Sequence, residues 1–106
     1  MRILVVGSGG VGDAVARIAA RRNFFEAMVV ADYDLARAER TVAAASESDV
    51  VGGRFLAAHV DASKAEAVTA LAREHGATHV LNAVDPRFVM PVFEGAFAAG
   101  ADYLDM

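Results

Sequence analysis

At 106 residues the chain has room for one domain and none for a substrate domain of ordinary size beside it. Hydrophobic residues make up 56% of it, ample for a core, and its 10 basic and 14 acidic side chains give a net charge of -4 with the basic ones scattered, which argues against a nucleic-acid-binding face. The lack of cysteine excludes disulfides and thiolate metal sites, and the opening apolar run is too short for a signal segment or a membrane span, so the expectation is a cytoplasmic chain with no membrane partner.

Ile3 to Val6 reads as a strand buried on both faces, followed by the turn Gly7-Ser8-Gly9-Gly10-Val11-Gly12 and a helix reaching about Arg22 with Val11, Val15, Ile18 and Ala19 on one side. Met28 to Ala31 is a second strand. Asp34 is the better N-cap candidate for the second helix, striped by Leu35, Ala38, Val42 and Ala45 and ending before Gly52-Gly53. A third strand spans Arg54 to Val60, then Ser63 caps a helix with Glu66 as its capping-box partner and Gly76 closes it. His79 to Asn82 is the fourth strand. Asp85-Pro86 and Pro91 bracket the start of a helix carrying Val89, Val92, Phe93 and Ala96, Gly100 caps it, and Asp102 to Met106 is a fifth strand. Strand and helix thus alternate throughout, with connections short enough to force right-handed parallel crossovers. The fold expected is a doubly wound α/β Rossmann sheet of strand order 3-2-1-4-5, with helices on both faces and residues 1–106 as one domain. Because a complete fold of this kind adds a sixth strand, the expectation is a fragment lacking a C-terminal substrate domain.

The chemistry starts at Gly7-x-Gly9-x-x-Gly12, which follows a strand and opens a helix as a dinucleotide fingerprint requires. Gly7 permits the tight turn, Gly9 leaves the backbone open to a pyrophosphate, and Gly12 lets helix and strand approach closely. The helix N-terminus offers N–H groups and partial positive charge to the phosphates. Asp32 ends the second strand about 20 residues after Gly12, where a carboxylate meets the adenosine ribose hydroxyls. It favours NAD over NADP, whose 2′-phosphate would face that carboxylate; Arg37 or Arg40 compensating would open the site to NADP, the alternative for both being a solvated helix face. Asp61, with Ala62, follows the third strand at a position near the adenine, the alternative being a turn. Asn82, Ala83 and Val84 close the fourth strand on the crevice side, near the nicotinamide ribose, with a turn-fixing asparagine as the competing reading.

His59, His75 and His79 share no metal-ligand spacing, and no nucleophile elbow or paired acid and base is visible, so no metal and no catalytic residue is assigned. The phenylalanines read as core or interface, and Phe24-Phe25 as a patch for missing chain or a second copy in a homodimer.

Three further stretches, the Val-Val-Ala-Asp32 strand end, Asn82-Ala-Val-Asp-Pro-Arg87 and Ala99-Gly-Ala-Asp-Tyr-Leu-Asp105, together with the opening Ile3 to Gly12, make the whole chain resemble the N-terminal domain of saccharopine dehydrogenase-like proteins. Members of that family, with the similar carboxynorspermidine and homospermidine enzymes, make or break a secondary amine by passing hydride between a nicotinamide cofactor and an imine. The resemblance implies Ser8, Gly10 and Val11 at the pyrophosphate, Asp32 and Tyr33 at the adenosine ribose, and Asp61 and Ala62 at the adenine. It also implies an amino-acid-type substrate held by the absent domain, and a domain inactive alone. The family domain is often described as NADP-binding, which conflicts with the charge of Asp32. The rival class is a non-catalytic NAD-sensing module like those that regulate potassium transport; a methyltransferase is disfavoured because Val5-Val6, and no acidic residue, precede Gly7.

Overall fold

The computed structural model describes residues 1–105. Five parallel strands, β1 (Arg2–Val6), β2 (Ala27–Asp32), β3 (Phe55–His59), β4 (His79–Asn82) and β5 (Asp102–Asp105), lie in the order β3-β2-β1-β4-β5. Between them run α1 (Gly10–Ala19), α2 (Leu35–Glu47), α3 (Ala65–Glu74) and α4 (Val89–Ala99), the last preceded by a short 3-10 turn at Pro86–Phe88. This is the doubly wound α/β fold expected, and the order reverses between β1 and β4. Met106, expected in the fifth strand, lies outside the described residues.

Alternation along the central strand divides the core in two, because successive side chains point to opposite faces. Leu4 and Val6 face α3 and α4 with Val29, Ala31, Val68, Val80 and Val92. Val5 faces α1 and α2 with Val30, Ala16, Ala38, Ala45 and Phe55. Leu4, Val5 and Val6 are fully buried in these two clusters, so the strand is covered on both faces as its unbroken apolar run predicts.

Helix boundaries differ from expectation where close packing or local hydrogen bonding overrides pattern. The buried side of α1 is Gly12, Ala16 and Ala19, while Val11 and Ile18 are exposed, and the helix ends at Ala19 instead of near Arg22. The stripe keeps its period but is shifted by one residue, because the helix meets the sheet through its smallest side chains. The expected Ser63 cap is absent: Lys64 occupies the N-cap of α3, and the Ser63 hydroxyl donates to Asp61 Oδ1 at 2.6 Å. The Asp61 carboxylate accepts from both the amide and the hydroxyl of Ser63, a local turn that holds the serine side chain back on Asp61 in place of the helix start. On α4, Val92, Gly95 and Ala96 are buried, and Phe93, expected on the same stripe, is exposed. Asp34 does cap α2, accepting from the Arg37 amide, and Gly100 ends α4.

Phe24 and Phe25 meet edge to face with ring centres 5.2 Å apart, but they differ in burial. Phe25 is buried, with the Arg54 guanidinium carbon 3.9 Å from its ring centre, and Phe24 is exposed. Arg54, read from sequence as the start of the third strand, precedes it and is buried. Its side chain pairs with Asp49 at 2.7 Å and donates to the carbonyls of Ala20 and Phe25, tying the turn after α2 to the segment after α1.

Candidate functional site

The glycine turn is set by contacts that leave no room for side chains at two of its positions. Gly7 has φ +105°, and a Cβ there would lie 2.6 Å from Val84 Cγ1 and 2.9 Å from the Ala83 carbonyl. A Cβ on Gly12 would lie 1.8 Å from the Gly7 carbonyl oxygen. Gly9 is the opposite case: a Cβ there meets nothing within 4 Å of the protein and would project into open space. Gly9 is also the N-cap of α1, with no side chain capping the helix. The first bond onto the helix runs from the Asp13 amide to the Gly9 carbonyl at 2.8 Å, so the amides of Gly10, Val11 and Gly12 find no partner among the described residues. Unsatisfied amides at a helix start form an anion site.

Below the turn lies the carboxylate of Asp32, 9% exposed. Its Oδ2 accepts from the Ser8 amide and the Ser8 hydroxyl, both at 2.8 Å, and its Oδ1 accepts from the Asp34 amide at 2.9 Å. Arg37, on α2, brings a guanidinium nitrogen to 4.0 Å. Burial alone would raise the pKa of Asp32, but the amides of Asp34 and Ser8, the Ser8 hydroxyl and the Arg37 charge outweigh it and hold the group below the usual value. Asp32 is therefore a fixed anion that both anchors the turn and borders the crevice.

That crevice, about 470 Å³, opens at the carboxyl ends of the strands beside the reversal of strand order, where open α/β sheets bind ligands. One end is formed by Asp32, Tyr33 and Arg37 with Asp61, Ala62 and Ser63; the floor by Gly7 and Gly9; the other end by Ala83, Val84, Asp85 and Phe88. Of the residues singled out from sequence, Gly7, Gly9, Asp32, Tyr33, Asp61, Ala62, Ala83 and Val84 line it together. Ser8 lies behind the turn on Asp32, Gly12 is buried under Gly7, and Gly10 and Val11 open the helix at the surface. Asn82 is buried beneath the far end with its amide committed to Val84 and Tyr103. Asp61 is kept below the usual carboxylate value by the hydroxyl and amide of Ser63. Sequence reading missed Asp85 and Phe88 as lining residues. The Asp-Pro turn after the fourth strand was the available signal, since it must start at the crevice rim.

The fit to a dinucleotide rests on these features: free helix amides, a Cβ-free surface at Gly9 and a fixed carboxylate at the end of β2. No group of three or more His, Asp or Glu among the described residues could hold a metal ion, and no helix among them is long and apolar enough to cross a membrane.

Residues 3–106 match the sequence model of the saccharopine dehydrogenase NADP binding domain. The chain belongs to that family. Among solved structures it is similar to saccharopine dehydrogenase (L-Glu forming) from Saccharomyces cerevisiae, with a TM-score of 0.79 and 19% identity over 98% of this chain and 21% of that one. It is similar also to quinate dehydrogenase from Corynebacterium glutamicum in complex with NAD, with a TM-score of 0.65 and 21% identity over 97% of this chain and 43% of that one. A short-chain dehydrogenase/reductase from Serratia marcescens matches with a TM-score of 0.68 and 21% identity over 92% of this chain and 49% of that one. These likenesses bear out the fold. The chain spans about a fifth of the yeast protein's length and less than half of either of the other two.

Proposed function

We propose that the chain is the nicotinamide-dinucleotide-binding domain of an oxidoreductase of the saccharopine dehydrogenase family, working on an imine or secondary amine of an amino acid whose binding groups come from outside these residues. The observation that carries the reading is the Gly9 surface, open toward the crevice and edged by the free amides of Gly10, Val11 and Gly12. Those amides receive the pyrophosphate. Asp32 and Tyr33 border the adenosine ribose and Asp61 and Ala62 the adenine, which places the nicotinamide end toward Ala83, Val84, Asp85 and Phe88. Bound there, the cofactor supplies a hydride acceptor or donor; this chain supplies its binding and orientation. Inactivity of the domain alone follows from that division of labour.

For the choice between cofactors, the reading favours NAD. Asp32 stays ionised, and Oδ1 carries a single protein hydrogen bond, leaving a lone pair for a ribose hydroxyl. A 2′-phosphate would meet that charge, with only the half-exposed Arg37 to offset it. Titration calorimetry of the chain with NADH and NADPH tests both parts. The expected result is binding of both with NADH tighter, and a shift of roughly tenfold toward NADPH in Asp32→Ala, the effect of removing about 1.4 kcal/mol of repulsion. Binding of neither dinucleotide overturns the cofactor reading, and unchanged selectivity in Asp32→Ala overturns the role of Asp32.

A further inference from the structure

Asn82 is 2% exposed, ends β4 under the crevice, and spends its side-chain amide on protein partners. Its Oδ1 accepts from the Val84 amide at 3.0 Å, and its Nδ2 donates to the Tyr103 hydroxyl at 3.0 Å. That hydroxyl in turn donates to Asp105 Oδ2 at 3.3 Å, and the Tyr103 ring is held edge-on by Phe93 with centroids 5.4 Å apart. An ionised carboxylate accepts only, so the Tyr103 proton is directed to Asp105 and the hydroxyl can only accept from Asn82. This polarity decides which way the Asn82 amide faces: Nδ2 toward Tyr103, Oδ1 toward Val84. Burial, and the charge of Asp105, push the Tyr103 pKa up, which keeps the proton in place.

The amide so oriented holds the segment that shapes the glycine turn. Ala83 donates to the Val6 carbonyl at 2.8 Å, and Val84 Cγ1 and the Ala83 carbonyl are the atoms that forbid a side chain on Gly7. We propose that Tyr103 is a positioning residue: through Asn82 its hydroxyl fixes the Ala83–Val84 segment against Gly7 and so sets the width of the crevice at its nicotinamide end. The edge strand β5 thereby governs a turn two strands away. This inference rests on the dinucleotide reading above for its functional half, and on hydrogen bonding alone for its geometric half.

The test uses the 106-residue chain with Tyr103→Phe, which keeps the ring on Phe93 and removes the hydroxyl, Asn82→Ala, and the double substitution. Amide hydrogen exchange in the free chain is followed together with NADH and NADPH affinity. Tyr103→Phe is expected to speed exchange at Val84 severalfold with little change elsewhere in the sheet. It should also weaken dinucleotide binding about three- to tenfold, as the loss of one hydrogen bond of ordinary net strength does. Adding Tyr103→Phe to Asn82→Ala should change little further, since both act through one amide. Should Asn82→Ala fail to fold, the single Tyr103→Phe substitution decides the matter. Unchanged Val84 exchange, a rise spread evenly over the core, or an unchanged dissociation constant in a chain that binds would each overturn the proposal. If the unsubstituted chain binds neither dinucleotide, the cofactor reading fails and the functional half with it, while the exchange result still decides the geometric half.

Discussion

Two carboxylates, Asp32 and Asp49, are both buried, both held by several hydrogen bonds and both kept below the usual carboxylate pKa, yet they are built differently. Asp49 meets a full guanidinium, that of Arg54, at 2.7 Å, and the pair is sealed, with side chains 1% and 3% exposed. Asp32 is held by neutral donors, Ser8 and the Asp34 amide, while its one cationic neighbour, Arg37, stands 4.0 Å off and is half-exposed. The first arrangement cancels charge inside the protein. The second holds a charge at the rim of a crevice mainly by neutral donors, which anchors the glycine turn and leaves Oδ1 open to a further hydrogen bond.

The contrast predicts opposite outcomes from removing a partner at each place. Arg54→Ala leaves Asp49 buried and unpaired and should destabilise the fold by about 3–5 kcal/mol, the usual result of breaking one side of a buried pair. Urea denaturation measures this, and a loss below 1 kcal/mol would show that the pair is not a staple. Asp32→Ala leaves the buried Ser8 amide without its acceptor and should cost about 1–3 kcal/mol, a smaller loss accompanied by the change in cofactor selectivity.

Stability against pH sharpens the comparison further. Burial would raise the pKa of Asp49, but its bonds to Arg54 and to the amides of Gly52 and Val51 bring it from 3.8 to about 2. A depressed folded-state value means that the unfolded chain binds more protons, so this stabilisation is fully present above about pH 4 and is lost as pH falls toward 2. Asp13, lowered chiefly by the Thr41 hydroxyl, and Asp32 add losses of the same sign. Urea midpoints measured between pH 2 and pH 6 should fall steadily on acidification in the native chain, and less steeply in Arg54→Ala. An equal slope in the two would show that Asp49 carries no part of it.

The same pair explains what was legible in the sequence. The place of Asp32 at the crevice could be read because it depends on short-range order: a glycine turn, a helix, and a strand ending in a carboxylate at a fixed spacing. Asp49 and Arg54 could not, since the carbonyls that receive the guanidinium belong to Ala20 and Phe25, brought near only by the finished fold, and arginine is by default a surface residue. The sheet order followed from alternation and right-handed crossovers, whereas the face of α1 was misplaced by one position because Gly12 draws the helix onto the Gly7 carbonyl. Ser63 differs from its expected capping role for a local reason: its amide and hydroxyl both donate to the Asp61 carboxylate, so its oxygen accepts from no helix amide. Asn82 was half legible. Its place at the end of β4 followed from pattern, but its commitment to Tyr103 depends on the register that sets Asn82 beside Asp105.

The smallest expected effect on stability belongs to the most direct test of the account. Gly9 lies outside the left-handed region and a Cβ there touches no protein atom, so Gly9→Val should fold with a loss under about 1 kcal/mol, the cost of a poorer N-cap residue. Its side chain would nevertheless occupy the surface on which the pyrophosphate is placed. Calorimetric titration of NADH into the native and Gly9→Val chains should give binding in the first and no detectable binding in the second at equal folded fraction. Equal affinity in the two chains would contradict the assignment of the glycine turn as the pyrophosphate site.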